Sequence, residues 1–217
     1  MNPKLYFAFA VAAFLTANAN VAAAVLDTDG EILLPGISYH ILPAKRGCSR
    51  GGGVTVMFNH TEFCSVKGNV IQANSVTEEA ARVRFSNWAP KVAFVPESTD
   101  LIIEIDLGIT VCQKTPFWGI GEFDGERNKW FVSTGAGSDG FGPGSVNSLF
   151  KIEKSENLGD AYKIVFCPSN CESCRPICGD VGIFEDENGV LRLALSDWPF
   201  EVVFKKAKKR NISTETM

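Results

Sequence analysis

Cysteine is the residue type with the clearest chemical potential in this chain, because four of its seven cysteines fall within twelve residues. Cys167, Cys171, Cys174 and Cys178 form a C-x3-C-x2-C-x3-C arrangement. In a reducing compartment this density is typical of zinc or an iron-sulfur cluster, whereas in an oxidising one it is typical of disulfides. Four cysteines allow three pairings, of which the nested one joins Cys167 to Cys178 and Cys171 to Cys174. The choice between metal and disulfides therefore depends on the compartment.

The first 24 residues indicate the secretory pathway. A single charge at Lys4 precedes an apolar run at 5–15, and residues 16–24 are small and rich in alanine. This is the layout of a secretory signal peptide, and the apolar run is too short to span a bilayer. We expect cleavage after Ala19, Ala23 or Ala24, giving a secreted chain that is extracellular or vacuolar. Disulfides persist in that compartment, so we expect no metal.

The other cysteines and two sequons fit the same compartment. Cys64 and Cys112 are available for a third disulfide that would close a long loop. Cys48 is then left as a buried free thiol, a reactive thiol or a bridge to a second chain. Asn59-His60-Thr61 and Asn211-Ile212-Ser213 are acceptor triplets for N-glycan, and we expect glycan at Asn59.

Little in the sequence indicates catalysis. The chain has two histidines, of which His40 lies in a predicted strand and His60 inside a sequon. Neither G-x-S-x-G nor H-E-x-x-H is present, and the spacing of the 25 acidic residues singles out no acid–base pair. The net charge of −4 supplies no basic field for nucleic acid. We therefore expect a protein that is not an enzyme, has no cofactor, and binds neither nucleic acid nor membrane.

Short strands joined by turns must position these residues. Twenty glycines, ten prolines and little helical periodicity predict an all-β fold. Eleven β-branched or aromatic runs predict strands at 38–43, 53–58, 81–85, 92–95, 101–111, 129–133, 149–154, 162–167, 181–184, 191–195 and 201–205. Asn188-Gly189 predicts a type I′ hairpin turn. About a dozen short strands favour a barrel or trefoil over a seven-stranded sandwich, and we expect the basic stretch 205–210 to be solvated.

Longer strings at both ends of the chain are more specific than any single motif. Residues 25–41 read VLDTDGEILLPGISYHI, 162–168 read YKIVFCP, 178–182 read CGDVG and 192–197 read RLALSD. Together they resemble the plant Kunitz inhibitor family, the group of soybean trypsin inhibitor, in its miraculin-like branch. The resemblance implies a β-trefoil of about twelve strands over 25–207, after a signal peptide at 1–24 and before a polar tail at 208–217. It also implies three disulfides, Cys64–Cys112, Cys167–Cys178 and Cys171–Cys174.

The resemblance further implies a peptidase inhibitor that presents a rigid, substrate-like loop to a serine endopeptidase. By position, the matching loop is residues 86–93 (SNWAPKVA), which we name the candidate reactive loop; its proposed site residues are Asn87, Trp88, Pro90, Lys91 and Val92. Lys91 is its only basic residue, so a trypsin-like peptidase with an acidic pocket is expected at the Lys91–Val92 bond. Trp88 is the alternative anchor for a chymotrypsin-like pocket, and Ala89–Pro90 is a poor scissile bond because its nitrogen belongs to the proline ring.

One position departs from the family pattern. Many active members carry an asparagine immediately before the glycine that precedes the signature tyrosine, and its amide supports the reactive loop. Here Pro35 precedes Gly36 and offers no side-chain donor, which leaves Asn87 as the candidate support. We expect a monomer or a Cys48-linked dimer. The alternative function is a non-inhibitory, miraculin-like storage or defence protein that binds carbohydrate or a receptor.

Overall fold

A computed structural model describes residues 22–44, 51–59, 65–88, 92–108, 115–136, 140–169 and 177–208 of the chain. Within these ranges twelve strands belong to one sheet, and one short 3₁₀ turn spans Val146–Ser148. The strands are β1 (Ser38–Pro43), β2 (Val54–Phe58), β3 (Gly68–Gln72), β4 (Val83–Asn87), β5 (Leu101–Ile105), β6 (Phe117–Asp124), β7 (Lys129–Gly135), β8 (Phe150–Lys154), β9 (Tyr162–Phe166), β10 (Gly179–Glu185), β11 (Leu191–Ser196) and β12 (Val202–Lys206). No helix long and apolar enough to cross a membrane occurs in this part of the chain.

Six of the strands close into a barrel. β1 pairs with β4, β4 with β5, β5 with β8, β8 with β9, β9 with β12, and β12 pairs again with β1, always antiparallel. The other six strands form the hairpins β2–β3, β6–β7 and β10–β11, and β3, β7 and β11 also pair with one another. Each third of the chain thus supplies two barrel strands and one hairpin. This is the β-trefoil that the resemblance implies.

The core lies inside this barrel and follows the two-residue period of the strands. In β1 the residues alternate between half-buried and buried, which turns Tyr39 and Ile41 inward. Phe85 of β4 meets Phe204 of β12 edge-to-face, with the ring centroids 5.4 Å apart. Burying a large apolar side chain contributes about 1.5–3 kcal/mol, so these rings hold the barrel rigid beneath its loops.

The hairpin between β10 and β11 is present, but its turn differs from the type I′ turn predicted from Asn188-Gly189. Gly189 has a φ of +76°, whereas Asn188 does not have a positive φ. The Asp186 carboxylate accepts hydrogen bonds from the N–H groups of Asn188 and Val190, both at 2.9 Å. This local side-chain contact favours a type I turn followed by a left-handed glycine.

Candidate functional site

The candidate reactive loop connects β4 to β5. Ser86 and Asn87 were predicted as loop residues but form the last two positions of β4, where they pair with Ile102 and Leu101. The connection therefore begins at Trp88, whose N–H donates to the carbonyl of Asp100 at 3.0 Å and closes the base of the loop. The other proposed site residues, Pro90 and Lys91, lie outside the described residues, and Val92 begins the next described segment.

The side chain of Asn87 connects the barrel to the far end of the loop. Its Nδ2 group donates to the carbonyl of Val92 at 3.3 Å and to the carbonyl of Phe94 at 2.8 Å. Its Oδ1 atom is buried and has no hydrogen-bond partner among the described residues. Because Asn87 itself sits in a paired strand, these two bonds fix the segment after Lys91 to the rigid barrel.

The segment that follows Val92 is anchored by the N-terminal segment of the chain. The run 92–95 was predicted as a strand, but it is not one: residues 93 and 94 bend and Val95 is fully buried. The Val95 N–H donates to the carbonyl of Leu33 at 2.9 Å, and its carbonyl accepts from the N–H of Val25 at 3.0 Å. The Glu97 N–H adds a bond to the carbonyl of Ala23 at 2.7 Å. The apolar run thus pairs with residues 23–33 in isolated bonds, not with a neighbouring strand in a ladder.

Pro35 has a structural role that the sequence pattern did not indicate. It occupies the second position of the turn Leu34–Ile37, followed by Gly36 with a φ of +76°. Proline then left-handed glycine is the pattern of a type II turn. The N–H of Gly36 donates to the carbonyl of Phe85 in β4 at 3.1 Å. The turn at Pro35 therefore contacts β4 through its backbone, two residues before Asn87.

Comparison with known proteins places this geometry in a family. Residues 25–206 match the Kunitz family described as trypsin and protease inhibitors. The chain belongs to the Kunitz inhibitor family. Kunitz trypsin inhibitor 4 of Arabidopsis thaliana is 50% identical over 217 residues, which is 100% of this chain and 97% of that relative. Miraculin of Synsepalum dulcificum is 39% identical over 91% of this chain and 93% of its own.

Solved Kunitz structures confirm the fold. The Kunitz-type cysteine protease inhibitor PCPI-3 from potato matches with a TM-score of 0.70 and 32% identity, covering 88% of this chain and all of that one. Soybean trypsin inhibitor in its complex with porcine pancreatic trypsin matches with a TM-score of 0.66 and 26% identity, covering 86% of this chain and all of that one. These matches and the family match confirm the resemblance and the all-β trefoil.

A buried carboxylate at the base of the loop of this Kunitz chain was missed by sequence reasoning. Asp100, directly before β5, is only 7% exposed. Its Oδ2 accepts from the N–H of Ser169 at 3.0 Å, and its Oδ1 lies 3.7 Å from Nζ of Lys151. The loop base is thereby tied to the segment that follows β9. The sequence offered no signal beyond a turn-like stretch at 96–100, because Ser169 lies 69 residues away.

The structure contains a disulfide between Cys167 and Cys178, which is one of the pairs implied by the Kunitz resemblance. It links the segment after β9 to the segment before β10. The remaining cysteines lie outside the described residues: Cys48, Cys64, Cys112, Cys171 and Cys174. Asn59 is exposed directly after β2, and its N–H donates to the carbonyl of Lys67 at 2.8 Å.

The remaining candidates for chemistry form no metal site in the described ranges. His40 in β1 lies with Nδ1 at 2.9 Å from the carbonyl of Ala80 and 3.2 Å from that of Ala81, an arrangement in which Nδ1 donates. His60 lies outside the described residues. No group of three or more His, Cys, Asp or Glu side chains in the described part of the Kunitz domain is arranged to hold a metal ion.

Proposed function

We propose that this chain is a secreted peptidase inhibitor, not an enzyme, and that it blocks a trypsin-like serine endopeptidase with the candidate reactive loop. The observation that carries the proposal is the pair of hydrogen bonds from Asn87 to the carbonyls of Val92 and Phe94. A loop already held in its bound form loses little entropy when a peptidase docks on it. The relatives named as trypsin inhibitors support the same function.

The position of the two acceptors explains how the loop would resist turnover. If a serine peptidase attacks the Lys91–Val92 bond, an acyl-enzyme forms on Lys91 and Val92 becomes the new amino terminus. The carbonyl of Val92 is bonded to Asn87, so the leaving amine stays beside the acyl group instead of diffusing away. Its high effective concentration favours re-formation of the peptide bond over hydrolysis. Cleavage is then reversible, and the peptidase remains occupied.

Lys91 determines the class of target in this proposal. It is the only basic residue in 86–93, and a lysine anchor fits a pocket that has a carboxylate at its base. Trp88 remains the alternative anchor for a wide apolar pocket; its N–H bond to Asp100 holds its backbone at the loop base. The potato neighbour is an inhibitor of cysteine proteases, so a papain-like enzyme belongs in the test.

The test is a titration of trypsin, chymotrypsin and papain with the recombinant mature protein. Lys91→Ala should weaken trypsin binding by about thirtyfold or more, because truncating a central charged anchor removes about 2 kcal/mol or more. The melting temperature of Lys91→Ala should stay nearly unchanged. The control Lys129→Ala in β7 should inhibit trypsin as the parent does. If micromolar protein inhibits none of the three enzymes, the non-inhibitory storage or defence function that binds carbohydrate or a receptor replaces this proposal.

Passage through the secretory pathway is part of the same proposal. The signal-like layout at 1–24, the sequon at Asn59 and the Cys167–Cys178 disulfide all support it. We propose that the mature domain covers 25–207 and acts as a monomer or as a dimer linked through Cys48, without a cofactor.

A further inference from the structure

A cavity of about 280 Å³ beside β1 and β12 has a predominantly basic lining. Four cations line it, Arg82, Lys205, Lys206 and Lys208, together with His40; Glu79 is the single carboxylate among the described lining residues. The chain as a whole carries a formal charge of −4, so positive charge is concentrated at this place. Three of the four cations come from the basic stretch that the sequence predicted to be merely solvated.

The sheet holds part of this lining in a fixed arrangement. His40 of β1 lies directly opposite Lys205 of β12 in the antiparallel ladder, so the two side chains are neighbours on one face. The His40 ring is further fixed by its Nδ1 contacts with the carbonyls of Ala80 and Ala81. His40, Lys205 and Lys206 of this basic surface are therefore held by paired strands, and Lys208 follows two residues after the end of β12.

Two lysines of the cavity have no anionic partner among the described residues. Lys206 is paired with Glu31 at 3.2 Å, but Lys205 and Lys208 are exposed and have no ion pair in the described part of the chain. Arg82 is mostly buried and forms an ion pair with Asp106, with its Nε 3.5 Å from Oδ2 of that carboxylate. Lys205 and Lys208 are thus the two cations available for an external anion.

We propose that this cavity binds an acidic polysaccharide, a polyuronate whose sugars carry carboxylates. Lys205 and Lys208 are three residues apart, about 10 Å along extended chain, a spacing that suits a ligand with repeated charges better than a single small anion. Leu42 and Ala80 supply an apolar wall on which a sugar ring can pack. The site is independent of the candidate reactive loop, which leaves β4 at Asn87.

The test measures binding of polygalacturonate to the full mature chain by titration calorimetry at 50 mM and 200 mM salt. Lys205→Gln/Lys208→Gln should bind about tenfold more weakly than the parent and show a shallower dependence on salt. The control Lys129→Gln/Lys154→Gln removes the same charge from β7 and β8 and should bind within about twofold of the parent. All variants should inhibit peptidase as the parent does, which separates this site from the proposed function.

Two further measurements identify the ligand. Fully methyl-esterified polygalacturonate, which keeps the sugars but loses the charges, should not bind. Inorganic phosphate at millimolar concentration should not displace the polymer; displacement would assign the cavity to a small anion and overturn the proposal. Equal losses in the two double variants, or no polygalacturonate binding at 50 mM salt, would also overturn it.

Discussion

Replacing Asn87 with alanine removes the side-chain donor that holds the loop after Lys91. Two hydrogen bonds are lost, at 3.3 Å to Val92 and at 2.8 Å to Phe94. Each is worth about 1 kcal/mol net, so the total lies near 2 kcal/mol. For a protein of this size, that lowers the melting temperature by about 4–8 °C. Asn87→Asp should be worse, because its carboxylate would place acceptors against two carbonyl oxygens.

The effect on inhibition follows from the same two bonds. If the free energy of the two Asn87 hydrogen bonds serves mainly to keep the loop in its bound form, losing these bonds weakens trypsin binding by up to about thirtyfold. The loop should also be cleaved faster, because the new amino terminus at Val92 is no longer held beside Lys91. We expect inhibition by Asn87→Ala to be temporary, fading over hours as cut chain accumulates.

The assay follows residual trypsin activity and intact inhibitor mass during a long incubation with trypsin. The matched control is Asn157→Ala, which removes the same side chain at an exposed position where the described structure shows no side-chain hydrogen bond. Parent and control should stay intact while Asn87→Ala is cut after Lys91. If Asn87→Ala and Asn87→Asp inhibit for as long as the parent does, the Asn87 hydrogen bonds do not support the loop, and this prediction is wrong.

Three other predictions concern the rest of the chain. Burial would raise the pKa of Asp106, but hydrogen bonds from Ser38, the Gly108 N–H and Arg84 lower it from 3.8 to about 2. The ionised carboxylate therefore contributes about 2 kcal/mol of folding stability above pH 4, and this contribution is lost as the pH falls toward 2. In acid denaturation curves, the stability difference between the parent and Asp106→Asn should shrink over that range. Asn59 should carry glycan, and mass spectrometry of protein from a plant that finds only the unmodified peptide contradicts this. Thiol titration of denatured monomer should find one free group, Cys48; three or more, or stoichiometric zinc, would exclude three disulfides.

The two-residue alternation of apolar residues and the composition of the runs predicted the strands whose apolar residues face the barrel interior. β1 was predicted over the residues it occupies, and β9, β11 and β12 to within about a residue at either end, because alternation along one chain reports an inward face. β3 (GNVIQ) and β6 (FWGIGEFD) were missed. The former has few apolar residues, and the latter is interrupted by glycines that lower strand propensity. Gly119 of β6 is nevertheless required by packing, since a Cβ there would lie 2.5 Å from the Phe141 ring.

The site was predicted less completely than the fold, and for a physical reason. The resemblance implies the candidate reactive loop at 86–93, and the contacts that hold the base of this connection are ones that no local pattern encodes. Asp100 reaches Ser169, and Val95 reaches Val25 and Leu33. Such pairs are brought together only when the barrel closes, so spacing along the sequence does not reveal them.

The presence of proline at position 35 does not by itself remove support from the loop. The family pattern places an amide there, beneath the loop, whereas this chain has an amide at Asn87, in the barrel strand that leads into it. Pro35 still acts on that strand, because its turn directs the Gly36 N–H to the carbonyl of Phe85. The two carbonyls that accept hydrogen bonds from Asn87 both follow Lys91, so Asn87 holds the side of the loop that would leave on cleavage. A donor in that place favours resynthesis of the bond, so we expect the proposed inhibition not to require the amide that Pro35 replaces.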